Sequence, residues 1–298
     1  MFKDKMKPRP SSGQRLPAWH WFFPLAAVHA ALMVPLSLLA LYHQFDLLPQ
    51  LASSMGHARE LVFGFALSLI AGYLLGPLPR RQLAGLVTLW VVGRLGVMAA
   101  PLMHVATLAD GLFAVWVACL LVPRFMAAKK WRNRIIAPLL GLICLLGIVT
   151  LTWRYLGDML ITAPLMHLSV LGLVLLMTFM GGRIIAPAVN GYLIRRHRLA
   201  GAGVQPRLEA ALILLLGTTP LLTLWPRLQP FAAMLVLPAG ALVLLRIYHW
   251  KPTLCRERPD LLALMAGYAW LGAGLLLMAR AWWLPTHDNA PLHAFTIG

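Results

Sequence analysis

His57-Ala58-Arg59-Glu60, running without a break into the apolar stretch 61–75 (Leu-Val-Phe-Gly-Phe-Ala-Leu-Ser-Leu-Ile-Ala-Gly-Tyr-Leu-Leu), is the part of this sequence that decides how the rest is read. With its polar mouth, the stretch reaches the roughly 20 mostly apolar residues that a membrane-spanning helix needs. Ionisable side chains are costly in lipid, so three of them opening such a segment mark it as a functional site by default.

The composition agrees with a membrane protein. Sixty per cent of the 298 residues are hydrophobic, 12% are charged and the mean hydropathy is +0.76, outside the range of water-soluble domains. Nine stretches read as spans: 21–43, 57–76, 82–100, 103–122, 135–155, 160–185, 208–225, 230–249 and 260–284. They are too long and too evenly apolar for barrel strands, which alternate over about 10 residues. The expected architecture is therefore all-α: a polytopic transmembrane helical bundle of about nine spans with the start of a tenth.

The net charge of +17 suggests nucleic acid, but its distribution argues against that partner. Twenty of the 26 Lys and Arg fall in 3–15, 80–81, 124–134, 195–207 and 246–258, all on one side of the nine-span topology. Only Arg154, Arg227 and Arg280 fall in the opposite loops. By the positive-inside rule the N-terminus is cytoplasmic, and the excess charge is an orientation signal. The basic clusters lack interleaved aromatics, so no nucleic-acid partner is expected.

Residues 1–17, rich in Lys, Pro and Ser, read as a disordered cytoplasmic tail, and 18–298 as a single transmembrane helical domain. The first apolar stretch is too long for a cleaved signal peptide. Cys119, Cys144 and Cys255 form neither a disulfide framework nor a zinc signature. The chain closes on Pro291-Leu292-His293-Ala294-Phe295-Thr296-Ile297-Gly298, a helix start that stops after two turns. A helix ending inside lipid leaves carbonyls without partners, so a fragment of a longer protein is expected.

The nine-span topology assigns depths at 1.5 Å per residue. Arg94 on an ascending helix and Asp110 on the next, descending one both fall roughly 10 Å below the outer face, which predicts a buried ion pair. His167 falls at a similar depth, and His43, His57, His104, His287 and His293 lie near the same face. Imidazole is the commonest metal ligand, and Met suits soft copper, but in Met103-His104 and Met166-His167 the neighbours point about 100° apart. Each pair offers one ligand at most. His57, Glu60 and Gly64, at i, i+3 and i+7, align on one helix face: a ligand, a carboxylate to orient it, and room for a flat group. Gly181-Gly182-Arg183 weakens a helix beside a guanidinium suited to a carboxylate.

Several of these residues also carry a family likeness. Gly56 to Phe65 (Gly-His-Ala-Arg-Glu-Leu-Val-Phe-Gly-Phe) and Ile70-Ala71-Gly72-Tyr73-Leu74-Leu75 resemble the NnrS family's His-x-His-Glu stretch with its Phe-Gly-Phe and Ala-Gly-Phe-Leu. Leu89-Trp90 to Gly93-Arg94, Ala109-Asp110, Gly181-Gly182-Arg183-Ile184-Ile185, Gly267-Tyr268-Ala269-Trp270 and Leu292 to Gly298 follow in order. The resemblance spans 24–298. It implies a haem- and copper-containing protein of the bacterial inner membrane, multi-pass, linked to nitric oxide and nitrosative stress. It also implies a longer protein of about twelve spans, each needing about 20 apolar residues.

On that likeness the cofactor-binding residues are His57, Glu60, His167, His293, Arg94 and Arg183, and the metal ligands His57, His104, His167 and His293. Arg94 and Arg183 would anchor propionates, and nitric oxide would be the small-molecule partner beside the lipid bilayer. Two positions depart from the pattern: Arg59 stands where the family has its second histidine, and Met265 where a histidine precedes Gly-Tyr-Ala-Trp. Met can serve as an axial haem ligand and raises the potential. No nucleophile and base pair or nucleotide loop indicates catalysis. The competing reading is a transporter for a metal complex or small anion using intramembrane Arg/Asp pairs; a third is a sensor or assembly partner without chemistry.

Overall fold

A computed structural model describes residues 15–42, 51–97, 102–155, 159–196, 203, 205–284 and 290–297. His43 and His287, both placed near the outer face by the sequence, lie outside them. The architecture is all-α apart from one two-stranded ribbon, because only helices and closed barrels satisfy every backbone group inside lipid.

The chain packs as two units, Met1–Met166 and His167–Gly298. Their boundary falls inside one continuous helix, α8 (Met159–Arg195), which no change in hydropathy marks.

Unit 1 starts with β1 (Arg15–Pro17), the last three residues of the expected tail, paired antiparallel to β2 (Pro77–Pro79) with Leu16 opposite Leu78. α1 (Trp19–Leu41) packs against the helical run that carries the opening stretch. That run has three parts: α2 (Ser54–Arg59), a π-helical segment (Glu60–Ala66) and α3 (Leu67–Leu75). Ser53 caps its start, its hydroxyl accepting from Gly56 N at 3.0 Å. Gly76, at φ +67°, ends it, and Arg124 donates to the otherwise open carbonyls of Leu74 and Leu75 at 2.9 and 3.1 Å. α4 (Arg80–Val97) packs on α5 (Met103–Met126), which packs on α7 (Ile136–Tyr155) after the single turn α6 (Trp131–Arg134).

In unit 2, α10 (Gln229–His249) lies against α9 (Pro206–Thr223) and α11 (Pro259–Trp283), and α12 (Ala290–Ile297) packs on α11. Large apolar side chains such as Leu108, Leu214 and Phe231 remain more than half exposed, the surface expected of helices bathed in lipid.

Among the described residues six helices are long and apolar enough to cross a membrane, not nine: Trp19–Leu41, Ser54–Leu75, Met103–Met126, Pro164–Arg195, Pro226–His249 and Pro259–Trp283. The other three expected spans fall short for identifiable reasons. α4 carries Arg80, Arg81 and Arg94 within 18 residues. The apolar part of α7 ends at Leu151. α9 has only 18 residues, with Arg207 and Glu209 in its first turn.

Candidate functional site

The opening stretch folds into the centre of unit 1. At Glu60 the α-helix widens into the π-helical segment, where Leu67 N–H donates to Val62 O, five residues back. Such a widened turn inserts an extra residue and re-aims the side chains around it. Glu60 O takes a bond from His29 of α1 at 3.1 Å when His29 Nε2 carries the proton, and Gly64 O accepts from Trp90 Nε1 of α4 at 2.8 Å.

Four charged side chains close on one another there, each 6% exposed or less. Arg94 donates through Nη1 to Glu60 Oε2 at 2.5 Å and through Nη2 to Asp110 Oδ1. Arg59 donates through Nη2 to Asp110 Oδ2 at 2.7 Å, while its Nη1 lies 3.9 Å from Glu60 Oε1 and 3.7 Å from Met103 Sδ. Two cations and two carboxylates balance. Removing ions from water costs several kcal/mol each, so the arrangement holds only because each charge faces an opposite one at contact distance.

Two glycines make the close approach possible. A Cβ on Gly64 would come within 2.5 Å of both Arg94 Nη1 and His29 Nε2, and one on Gly93 would overlap Asp110 Oδ1. Three atoms in the network, Arg59 Nε, Glu60 Oε1 and Arg94 Nε, have no hydrogen-bond partner among the described residues.

Arg94, Asp110 and Glu60 are thus brought together, and the structure adds two residues that the sequence did not single out as partners. Arg59 is the second cation of the network. His29 sits 3.5 Å from Glu60 Oε2, and in sequence it is a lone histidine amid apolar neighbours. His57 is not in the network. Its Nδ1 lies 2.7 Å from Ser37 Oγ, whose hydroxyl donates to Val34 O at 2.9 Å. With Ser37 donating there, the His57 Nδ1–H donates to Ser37 Oγ. His57 belongs to the α-helical turn, and Glu60 opens the π segment.

His104 is exposed in the first turn of α5, His167 is exposed on α8 and His293 is exposed on α12. Among the described residues no three or more His, Cys, Asp or Glu side chains are placed to hold a metal ion. A haem needs a flat cavity with an axial donor beside it. The wide groove of unit 1, about 670 Å³ and open, is walled by residues such as Gly85, Leu89, Leu112 and Trp116 with Cys119, and has no histidine. The lining of that groove offers no axial histidine, and the described residues form no three-donor metal set. Cys255 is buried outside the spans, and burial pushes its thiol above the ordinary range, against the opposing pull of Arg258.

Unit 2 has its own buried polar group. Arg183 Nε donates to Glu209 Oε1 at 3.0 Å, and its guanidinium stacks 4.0 Å from the Phe179 ring centroid. Arg246, which the sequence reading counts among the basic residues flanking a cytoplasmic loop, is only 1% exposed. It points inward beneath Gly182, where any side chain on that glycine would overlap the guanidinium.

The family model described as NnrS protein matches residues 17–298, nearly the whole chain. The chain belongs to the NnrS family. The matched range contains every group just described: His57 to Glu60 at the α2 and π-helical entrance, Gly93-Arg94 and Ala109-Asp110 in the ion pairs, and Gly181-Gly182, which receives Tyr268 and Arg246. No curated protein and no solved structure matches the chain.

Proposed function

We propose that this NnrS-family protein acts in the bacterial inner membrane, N-terminus in the cytoplasm, in handling nitric oxide or its oxidised derivatives, with the unit 1 network as its working centre. Family membership supports the link to nitric oxide. The observation that carries the choice of centre is Arg94 bridging Glu60 and Asp110 inside otherwise apolar helices, an arrangement that packing alone does not require.

The geometry favours movement of a small anion over a metal centre. An anion arriving at Arg94 competes with Glu60 for Nη1. Glu60, released from the guanidinium in a low-dielectric site, takes up a proton; its Oε1 already lacks a hydrogen bond, and His29 stands beside it. One anion and one proton enter together, so the charge of the network is unchanged. Nitrite, formed when nitric oxide is oxidised, is an anion of this kind.

Purified protein in proteoliposomes is expected to take up nitrite faster under an inward proton gradient, and Arg94→Lys, which keeps the charge but loses the fork, to lower uptake about tenfold while the helical circular dichroism is unchanged. Absence of nitrite flux overturns this reading. So does a Soret band in the purified protein that disappears in His57→Ala, which would restore the haem reading.

A further inference from the structure

We infer that Arg246 is an anion-binding residue of unit 2, its Nε–H and an Nη2–H together taking the two oxygens of a planar anion, a carboxylate or nitrite. The inference stands on unit 2 alone and does not depend on the role proposed for the unit 1 network.

The guanidinium is held from one end only. Nη1 donates to Tyr268 Oη at 3.1 Å and to Thr178 O at 3.4 Å, and Tyr268 Oη in turn donates to Thr178 O at 2.8 Å. Nε and Nη2 have no partner among the described residues. Those two nitrogens form one edge of the guanidinium, and their parallel N–H bonds match the spacing of two oxygens on a planar anion. The open edge is therefore the bidentate one, and the bonds at Nη1 fix its direction.

The surroundings fit an anion better than a neutral guest. Each partner of Arg246 is a neutral oxygen, and the Glu209 carboxylate that lines the same gap makes its 3.0 Å contact with Arg183, not with Arg246. A buried cation left with open N–H groups is destabilised until something accepts from them. Two more polar atoms nearby, Thr178 Oγ1 and Trp250 Nε1, are also buried without hydrogen-bond partners among the described residues. Trp250 lies 5.7 Å from the guanidinium and Thr178 lines the adjoining gap with Phe179, Glu209 and Leu212. This gap has no room for a water molecule as it stands. Entry therefore requires Phe179 or Glu209 to turn aside, and the anion displaces side chains rather than solvent.

The test is calorimetric titration of the whole chain in detergent with sodium nitrite, sodium formate and sodium chloride at equal ionic strength. A saturable site for nitrite, formate or both that persists in Arg94→Lys is expected, with chloride at least about tenfold weaker because it cannot span the fork. Preference for nitrite assigns the site to the inorganic anion; preference for formate assigns it to the carboxylate of a larger molecule. Arg246→Lys is expected to weaken binding about tenfold.

Glu209→Gln removes the negative charge that lines the gap and is expected to tighten binding, an effect opposite to that of a purely structural residue and readable even if the Arg246 variant fails to fold. No saturable binding, equal binding of chloride, or no tightening in Glu209→Gln overturns the inference. So does loss of binding in Arg94→Lys with Arg246→Lys unaffected, which would place the anion in unit 1.

Discussion

Arg94 is the residue on which unit 1 turns, because among the described residues it is the one that hydrogen-bonds both carboxylates of the buried network. Asp110→Asn leaves Arg59 and Arg94 sharing one carboxylate, and the uncompensated charge is expected to cost about 3–5 kcal/mol, read as a lower denaturation midpoint in detergent. Arg94→Met is expected to cost more than Arg59→Met, since Arg59 makes one close carboxylate contact, to Asp110. Equal losses in the two variants would mean that the network does not hold as described. Gly64→Ala places a methyl group against Arg94 Nη1 and His29 Nε2, so one of them must leave its partner. A loss of about 1–3 kcal/mol is expected, with reduced nitrite uptake. The Arg59 side chain also gives physical sense to the departure from the family motif: where a histidine would be neutral or weakly charged, the guanidinium is the fixed positive charge that balances Asp110.

Among the elements, the π-helical segment Glu60–Ala66 does most to build the site. It carries Glu60 and Gly64, which face Arg94 and His29, while His57 in the turn before it faces Ser37 of α1. Deleting one residue from the segment, such as Val62, returns the helix to its ordinary period and rotates the earlier turns by about 100° relative to α3. Helical circular dichroism is then expected to be kept while anion uptake is lost and the melting temperature falls. Retained uptake would show that the widened turn is not needed to aim Glu60. In unit 2, the Gly181-Gly182 step has the corresponding task, since the bare backbone of α8 is what receives Tyr268 and Arg246.

At the scale of the whole molecule, the proposed orientation places the basic segment 3–15 in the cytoplasm. A fluorescent protein fused at the N-terminus is expected to glow and alkaline phosphatase fused there to be inactive; the reverse pattern overturns the orientation. The all-α polytopic class, the family and the presence of Arg94, Asp110 and Glu60 in apolar surroundings were legible in the sequence, because membrane helices are written in hydropathy and because an ionisable residue in such a segment is conspicuous by itself. The count of spans was not. Hydropathy treats α4, α7 and α9 like their neighbours, while their charged turns and short apolar runs set them apart once helix boundaries are known. The partners of each charge also escaped the sequence. His29 is one histidine in an apolar helix, Arg246 reads as a loop-flanking basic residue, and a π turn leaves no mark in residue spacing. What the sequence determined alone is which groups lie in an apolar environment and must find a counter-charge or a ligand. Only the tertiary structure decided which, since a pairing depends on contacts of a few ångströms between helices distant in the chain: His29 of α1, and not the nearer His57, lies beside Glu60.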